Sequence, residues 1–395
     1  MAQQQTFTLP LTQRALRQDE RFQPLAVQNI QVPTAIPGSA VLRVLVADII
    51  SYSKQIYNGE RNYSYPVPIT PGSAAIGRVV ALGQDAVKLK VGDLCFLDLT
   101  LKGRDSDGDM FLGGVNSGFT PGSQKLMADG GFRDGTHAEY VRFPLENVHQ
   151  LDERRLLGSP DQGGFGYEIE DLLYINRMLV PYGGMSPLCV DVKPGETVVV
   201  SPATGAFGAA AVHVALELGA GKVIAMGRNT AVLEKVKAGE PHDKQDRVAL
   251  VQLTGLLEKD LSTLNEAKGS GEIDVFYDTS PPMAQGSAHI NAGIMALGRG
   301  GRACLMGGLL GDVTLAHLPI MTRNLTIKGK AMFEREDVKN MIKLVESGTI
   351  RLYHEANEWK MYRSHCVRKF ALEDWEVAFA VADKASDEGN YVFIP

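Results

Sequence analysis

The spacing of apolar positions divides the chain into two textures. Up to about residue 150, short β-branched runs alternate with Gly and Pro. SAVLRVLVADII (39–50) predicts a long strand. AIGRVVALG (75–83) and DLCFLDL (93–99) predict two more, set apart by the turn KVGD at 90–93. Residues 101–137 are polar and glycine-rich with no period, the pattern of a functional or excursion loop, or of disorder. AEYVRFPLENVHQL (138–151) returns to strand character.

From about residue 195 the period changes. KPGE (193–196) is a turn, TVVV (197–200) a buried-strand run, and FGAAAVHVALELGA (207–220) a helical pattern with small residues where a sheet would press close. Strand runs at 222–226, 247–253, 273–280 and 302–308 follow, with helices predicted at 229–239 and 282–298. This alternation predicts a parallel, doubly wound sheet. After NLTIKGKAM (324–332) comes a charged amphipathic helix at 335–348, and the tail is again mixed and strand-containing. The α/β region therefore reads as an insertion at 182–332 within a first domain made of 1–181 and 333–395.

Composition adds mainly exclusions. A chain of 395 residues is too long for one ordinary core, which agrees with two domains. A net charge of −6 and the lack of any Lys/Arg cluster argue against a nucleic-acid partner. No apolar run approaches the ~20 residues that span a bilayer. The stretch 1–20 has no secretory pattern. The four cysteines, Cys95, Cys189, Cys304 and Cys366, are far apart and form no C-x-x-C pair. They read as small, partly buried hydrophobes in a reduced cytoplasm, not as a disulfide framework or a zinc knuckle.

The loop after TVVV carries the candidate chemistry. A dinucleotide fingerprint, G-x-G-x-x-G between strand and helix, appears as Ala203-Thr204-Gly205-Ala206-Phe207-Gly208. The first glycine is replaced by alanine. Gly205, which lets backbone approach a pyrophosphate, and Gly208, which lets helix press on strand, both remain. The helix N-terminus would offer free N–H groups to phosphate. A tight turn without a ligand is the other reading of a degenerate fingerprint. Nineteen residues beyond Gly208 the chain reads Gly227-Arg228-Asn229, where an NAD enzyme would place an acid. Gly227 leaves room for a 2′-phosphate and Arg228 could pair with it, which points to NADPH/NADP. The alternative is a solvated surface arginine.

PGSAAIGRVVALGQDAVKLKVGD (71–93) together with KPGETVVVSPATGAFGAAAVHVALELGAGKVIAMGRN (193–229) resembles the medium-chain dehydrogenase/reductase superfamily. Within it the chain looks similar to the fungal alcohol-dehydrogenase-like branch, which includes oxidoreductases of secondary metabolism, and to the zinc-free quinone and enoyl reductases. The resemblance implies a GroES-like, β-rich catalytic domain plus a Rossmann NADP-binding domain, and a homodimer formed through the cofactor domains. Zinc members carry a Cys, then a His-Glu pair. Ser51 stands at the Cys position here, and Ser73 and Ala74 at the His and Glu positions. The third ligand should fall in YINRMLVPYGG (174–184), which has neither Cys nor Asp. The loop at 101–137 lacks the four cysteines of the structural zinc lobe. No metal is therefore expected.

Without zinc, reducing an isolated ketone must rely on hydrogen-bond donors to stabilise the developing oxyanion. An enone, enal or quinone is easier, because charge spreads onto a conjugated oxygen. Reduction of such an acceptor is the first reading. Carbonyl reduction or alcohol oxidation is the second, and a non-redox or inactive protein on the same fold is the third. Ser53 stands two places after Ser51, at the family's proton-relay position, and Tyr52 beside it could hydrogen-bond an enolate. Both could also simply pack at the strand end. Tyr57, Tyr63 and Tyr65 line the pocket, or serve as rim or dimer contacts. Gly307 and Gly308 end a strand near the nicotinamide, and Asp278 and Thr279 end another on the adenosine or ribose side. His137 is a candidate acid/base, and His213 reads as a packed helical residue.

Overall fold

The structure, a computed structural model, describes residues 9–352, 366–384 and 389–395. Residues 1–8, part of the stretch read for a leader, and 353–365, part of the expected first domain, lie outside the described residues. Among the described residues, no helix is long and apolar enough to cross a membrane.

The first unit begins with β1 (Thr12–Arg17) and β2 (Ala26–Gln31), an antiparallel pair. β3 (Ser39–Asp48) is the long predicted strand, and nearly all of it is buried. It is followed by α1 (Ser53–Tyr57), β4 (Ala75–Leu82) and β5 (Leu94–Leu97). The region 101–137, read as aperiodic, is partly ordered. β6 (Thr100–Lys102) and β7 (Met110–Leu112) pair, and α2 (Pro121–Asp129) follows. Its start signal is local. Thr120 and Ser123 form a reciprocal capping box, and Pro121 occupies the first turn, where its missing N–H costs nothing. β8 (Tyr140–Pro144), β9 (Val148–Gln150) and α3 (Glu153–Leu157) complete this segment.

The chain then builds a six-stranded parallel sheet. α4 (Tyr174–Met185) leads to β10 (Thr197–Ser201), α5 (Ala206–Glu217), β11 (Lys222–Gly227), α6 (Thr230–Ala238) and α7 (His242–Gln245). Next come β12 (Val248–Gln252), α8 (Leu257–Lys268), β13 (Ile273–Asp278), α9 (His289–Ala296) and β14 (Leu297–Leu305). α10 (His317–Thr322), β15 (Thr326–Gly329) and α11 (Arg335–Ser347) follow. The strand order is β12-β11-β10-β13-β14-β15, every pair parallel. This is the expected doubly wound α/β sheet, and its order reverses between β10 and β13. Val199, Ile224, Met226, Phe276 and Ala303 fill one core against it. α9 presses on it so closely that a Cβ on Gly293 would lie 2.3 Å from the Phe276 ring. The predicted helix at 282–298 is shorter than expected, because Gly286 at φ +85° separates an initial 3₁₀ turn from α9.

β16 (Cys366–Phe370), α12 (Trp375–Lys384) and β17 (Asn390–Phe393) return to the first sheet. Its order is β16-β17-β3-β4-β5-β9, with β8 also on β3. β3 is the hub: β4 runs along one edge, while β8 pairs Ser39–Arg43 and β17 pairs Ala47 and Asp48 on the other. The chain thus divides into two compact units, Met1–Tyr174 with Cys366–Pro395, and Ile175–His365. The inserted unit is longer than the 182–332 read from the sequence, because α11 lies with it. A Cβ on Gly183 of α4 would lie 2.6 Å from Phe333, and Val338, Met341 and Val345 of α11 are buried.

Candidate functional site

In the second unit, the fingerprint loop connects β10 to α5 directly above the sheet's carboxyl edge. Gly205 is the N-cap of the 12-residue α5, with no side chain capping it. The first N–H groups of α5 have no acceptor within the helix. Gly205 is exposed, and a Cβ built there meets nothing within 4 Å. Backbone is therefore open to a ligand at this corner. Gly208 does the opposite job: a Cβ there would sit 2.1 Å from the Pro202 carbonyl oxygen, so helix and strand end meet only through glycine. Thr204, Ala206 and Phe207 are partly exposed around the opening. Ala203, in place of the first glycine, is fully buried.

Gly227 ends β11 beside this loop, and a Cβ there would lie 2.5 Å from Thr204 Cγ2. Arg228 follows and is exposed. Asn229 caps α6, its side-chain oxygen accepting from the Val232 N–H at 3.3 Å. Its side chain is thus already engaged in helix capping.

At the reversal point, the Thr279 N–H donates to the Ser201 carbonyl at 3.0 Å. Thr279 is partly exposed. Asp278 differs from its expected role at the ribose. It is 2 % exposed, and its carboxylate accepts from the Gly307 N–H at 3.0 Å, from the Ser280 N–H at 3.1 Å and from the Ser280 hydroxyl. Ser280 Oγ also lies 2.6 Å from His289 Nε2, and His289 Nδ1 lies 2.8 Å from Ser287 Oγ. Asp278 therefore holds the strand ends in place from below. A Cβ on Gly307 would collide with this carboxylate at 2.4 Å, whereas Gly308 is exposed. Ser280 and His289 went unread as part of the site, because one follows a strand and the other opens an apolar helix. Only the fold brings them together.

In the first unit, Tyr52 is partly exposed and Ser53 is buried at the start of α1. The Arg61 guanidinium stands 3.9 Å over the Tyr52 ring, and Tyr63 meets that ring edge-on at 6.5 Å. Tyr57 and Tyr65 are core residues. The Tyr57 hydroxyl donates to the Gly114 carbonyl at 2.6 Å, and the Tyr65 hydroxyl to Gln18 Oε1 at 2.8 Å. Burial pushes the Tyr65 phenol up to about 12, against the nearby Arg21 charge. His137 is 1 % exposed, wedged against Phe393 at 4.7 Å, with Nε2 3.2 Å from the Asp48 carbonyl. Burial lowers its pKa to about 4, so it is a neutral packing residue at neutral pH. His213 is buried as expected, and it is also paired, with Nδ1 2.8 Å from Glu240 Oε2.

Ser51, Ser73 and Ala74 are the residues expected at the zinc-ligand positions. The Ser73 hydroxyl is committed to Asp48, donating to its carbonyl at 3.1 Å, and Ala74 is fully buried. Hydroxyl and methyl groups do not fit a zinc site, which needs thiolate, imidazole or carboxylate. Among the described residues, no group of three His, Cys, Asp or Glu side chains could hold a metal ion.

Residues 36–153 match the family described as alcohol dehydrogenase GroES-like domain. Among curated proteins, the chain is similar to L-threonine 3-dehydrogenase of Vibrio parahaemolyticus. The two are 24% identical over 345 residues, covering 85% of this chain and 89% of that one. Among solved structures, a thermostable alcohol dehydrogenase from Pyrobaculum aerophilum superposes with a TM-score of 0.68 at 20% identity, covering 97% and 100% of the two chains. A protein described as a zinc-binding dehydrogenase, from Sinorhizobium meliloti and solved with NADP, gives 0.70 at 17% identity, covering 97% and 99%. At these identities the structural likeness speaks for the fold.

Proposed function

We propose, for a chain that belongs to the medium-chain dehydrogenase/reductase superfamily and carries its alcohol dehydrogenase GroES-like domain at residues 36–153, a zinc-independent, NADPH-dependent reductase of activated C=C bonds or quinones. The observation that carries this reading is the corner formed by Gly205, Gly227 and Arg228. It combines open backbone at a helix N-terminus, no acid at the end of the second strand, and an exposed guanidinium. Thr204, Gly205 and the first turn of α5 would hold the pyrophosphate, and Arg228 the 2′-phosphate. Thr279 and Gly308 follow β13 and β14, the next strands along the carboxyl edge from that corner. Bound there, NADPH supplies a hydride.

The acceptor class follows from the donor set. Ser51, Ser73 and Ala74 provide no Lewis acid, so the negative charge formed by hydride addition must be met by hydrogen bonds. An enone, enal or quinone delocalises that charge. The Tyr52 phenol is the donor proposed for the developing enolate oxygen, with Ser53 as a positioning residue in the adjoining turn. The second reading, NADP-dependent oxidation of an alcohol or reduction of a carbonyl, is favoured by the name of the curated relatives, L-threonine 3-dehydrogenase. The proposal extends to a cytoplasmic homodimer. β15 closes the parallel sheet as an edge strand, with Thr326, Lys328 and Gly329 exposed, and a two-fold partner could extend the sheet there.

The test is NADPH consumption in the presence of a chelator, on panels of enones, quinones and simple ketones. Turnover of conjugated acceptors at full rate under chelation is the expected result. Consumption of ketones alone would favour the second reading. A melting temperature unmoved by NADPH, NADP, NADH and NAD would reject both.

A further inference from the structure

The second unit holds a pair of thiols for which the proposed reduction has no use. Cys189 and Cys304 lie 115 residues apart in sequence, and their sulfurs are 3.7 Å apart in the buried interior. Cys304 is in β14 and fully buried. Cys189 is 5 % exposed, the less buried of the two, and directly follows Pro187 and Leu188, which stand out in solvent. The two thiols are not equivalent. The two sulfurs share a hydrogen bond, which favours the thiolate form of Cys189, and Lys330 and Lys328 add positive charge. Together these outweigh burial and draw the Cys189 thiol down to about 7. Cys304 is pushed far up by the same contact and by burial, and keeps its proton. One sulfur is thus poised as a thiolate and the other as a protonated neighbour within reach.

We infer that Cys189 and Cys304 form a peroxide-sensitive dithiol that closes to an intramolecular disulfide and, in closing, weakens cofactor binding at the β14 end. The second half of this inference rests on the functional reading given above. The chemistry balances with hydrogen peroxide as oxidant. The Cys189 thiolate attacks one peroxide oxygen; an S–O bond forms, the O–O bond breaks, and the leaving hydroxide takes a proton to become water. The Cys304 sulfur then attacks the Cys189 sulfur. An S–S bond forms, the S–O bond breaks, and the departing hydroxide takes the Cys304 proton as a second water. Two thiols are oxidised by two electrons and one peroxide is reduced to two waters.

Bond formation requires the sulfurs to close from 3.7 Å to about 2.05 Å. Cys189 sits in a turn, its N–H on the Ser186 carbonyl at 2.9 Å, with its own carbonyl held by Lys328 Nζ at 2.6 Å. Cys304 sits in the sheet two residues before Met306. Space around it is tight: a Cβ on Gly184 would lie 2.6 Å from Met306 Sδ and 3.0 Å from Cys304 Sγ. A displacement of Cys304 therefore passes to Met306 and Gly307, whose N–H groups are bonded to the Asp278 carbonyl and carboxylate.

The experiment treats the full, reduced chain with stoichiometric hydrogen peroxide and follows it by peptide mass spectrometry and NADPH titration. The expected product is about 2 Da lighter, with the Cys189 and Cys304 peptides cross-linked and released by dithiothreitol. NADPH binds it at least fivefold more weakly, and reduction restores the affinity. Cys304→Ser should stop at a sulfenic acid on Cys189, trappable by dimedone, and Cys189→Ser should give no cross-link. Both variants should melt within a few degrees of the parent and keep their NADPH affinity through peroxide treatment. Free thiols at 189 and 304 after treatment, or earlier oxidation of Cys95 or Cys366, would overturn the dithiol. A disulfide with unchanged NADPH affinity would overturn the coupling. A reduced chain that binds no nicotinamide nucleotide counts against the cofactor reading and the coupling together, while the cross-link still decides the dithiol.

Discussion

Gly227 and Thr204 meet where β11 ends beside the fingerprint loop, so closely that a Cβ on the glycine would lie 2.5 Å from the threonine methyl. An acid at this position, as an NAD enzyme would have, enters only if the Thr204 side chain shifts within the loop proposed to hold the pyrophosphate. Gly227→Asp is expected to weaken NADPH binding at least tenfold without producing tight NADH binding. Arg228→Ala should weaken NADPH binding tenfold or more and leave NADH nearly unchanged, since a phosphate–guanidinium pair is lost only for the former. Fluorescence titration of both variants with both nucleotides decides this. Equal losses for the two nucleotides would remove the phosphate role from Arg228.

Asp278 organises the site without facing it. Asp278→Ala leaves the Gly307 and Ser280 N–H groups without their acceptor, at a cost of about 1–3 kcal/mol for each buried donor. A lower melting temperature together with weaker NADPH binding is expected. Asp278→Asn keeps one carbonyl oxygen and should fall between the two. If Asp278→Ala lost affinity at unchanged stability and Ser280→Ala had no effect on either, a direct contact with the cofactor would be the better account.

Much of this arrangement was legible in the sequence. Runs such as TVVV and KVIAM bury both faces of their strands and so read as parallel-sheet interior, and Gly208 sits where the close approach of helix and strand end requires a glycine. What stayed hidden depends on contacts between distant segments. The Asp278–Ser280–His289 cluster, the Glu240 partner of His213 and the closeness of Cys189 to Cys304 join residues whose local sequences carry no sign of one another. The extent of the insertion was misjudged for the same reason, since an amphipathic helix such as α11 shows that it has an apolar face but not which unit covers it. The hydroxyls of Tyr57 and Tyr65 are taken by Gly114 and Gln18, partners that no spacing rule would suggest.

His213 of α5 and Glu240 form a buried pair, 0 % and 2 % exposed in their side chains. Burial alone would lower the histidine's pKa. The charge and hydrogen bond of Glu240, with Glu217 behind, outweigh it and raise the value. The folded state therefore holds this proton more tightly than the unfolded one. The stabilisation is complete below the ordinary histidine value of about 6.5 and is lost as pH rises through the raised one. Glu240→Gln should cost about 3 kcal/mol at pH 6 and clearly less at pH 9, read from urea midpoints. A cost independent of pH would mean the pair is uncharged when folded.

Asp98 gives a second pH signature, in the first unit. Burial raises its carboxyl to about 7, against hydrogen bonds from Thr100 and Asn147. The penalty for ionising it in the folded state is absent below about pH 4, grows between about 4 and 7, and is complete above that. Stability should thus fall across that window as pH rises. Asp98→Asn removes the titrating group, so the difference in urea midpoint between variant and parent should favour the variant progressively more from pH 5 to pH 8. A constant difference would show that Asp98 is ionised throughout.

The place of β17 on β3 also governs the order in which the molecule can be made. Val392 and Phe393 pair with Asp48 and Ala47, and the Ile49 N–H donates to the Tyr391 carbonyl at 3.0 Å. A ribosome has therefore delivered all of the inserted sheet before it supplies the strand that completes the edge of β3. The inserted unit has every strand of its own sheet in hand first, while the opening segment waits with the Ala47–Asp48 end of its longest strand unpaired on the side that β8 only partly covers. During that interval β3 is the segment most in need of protection from wrong partners. The residues of β17 decide when that exposure ends.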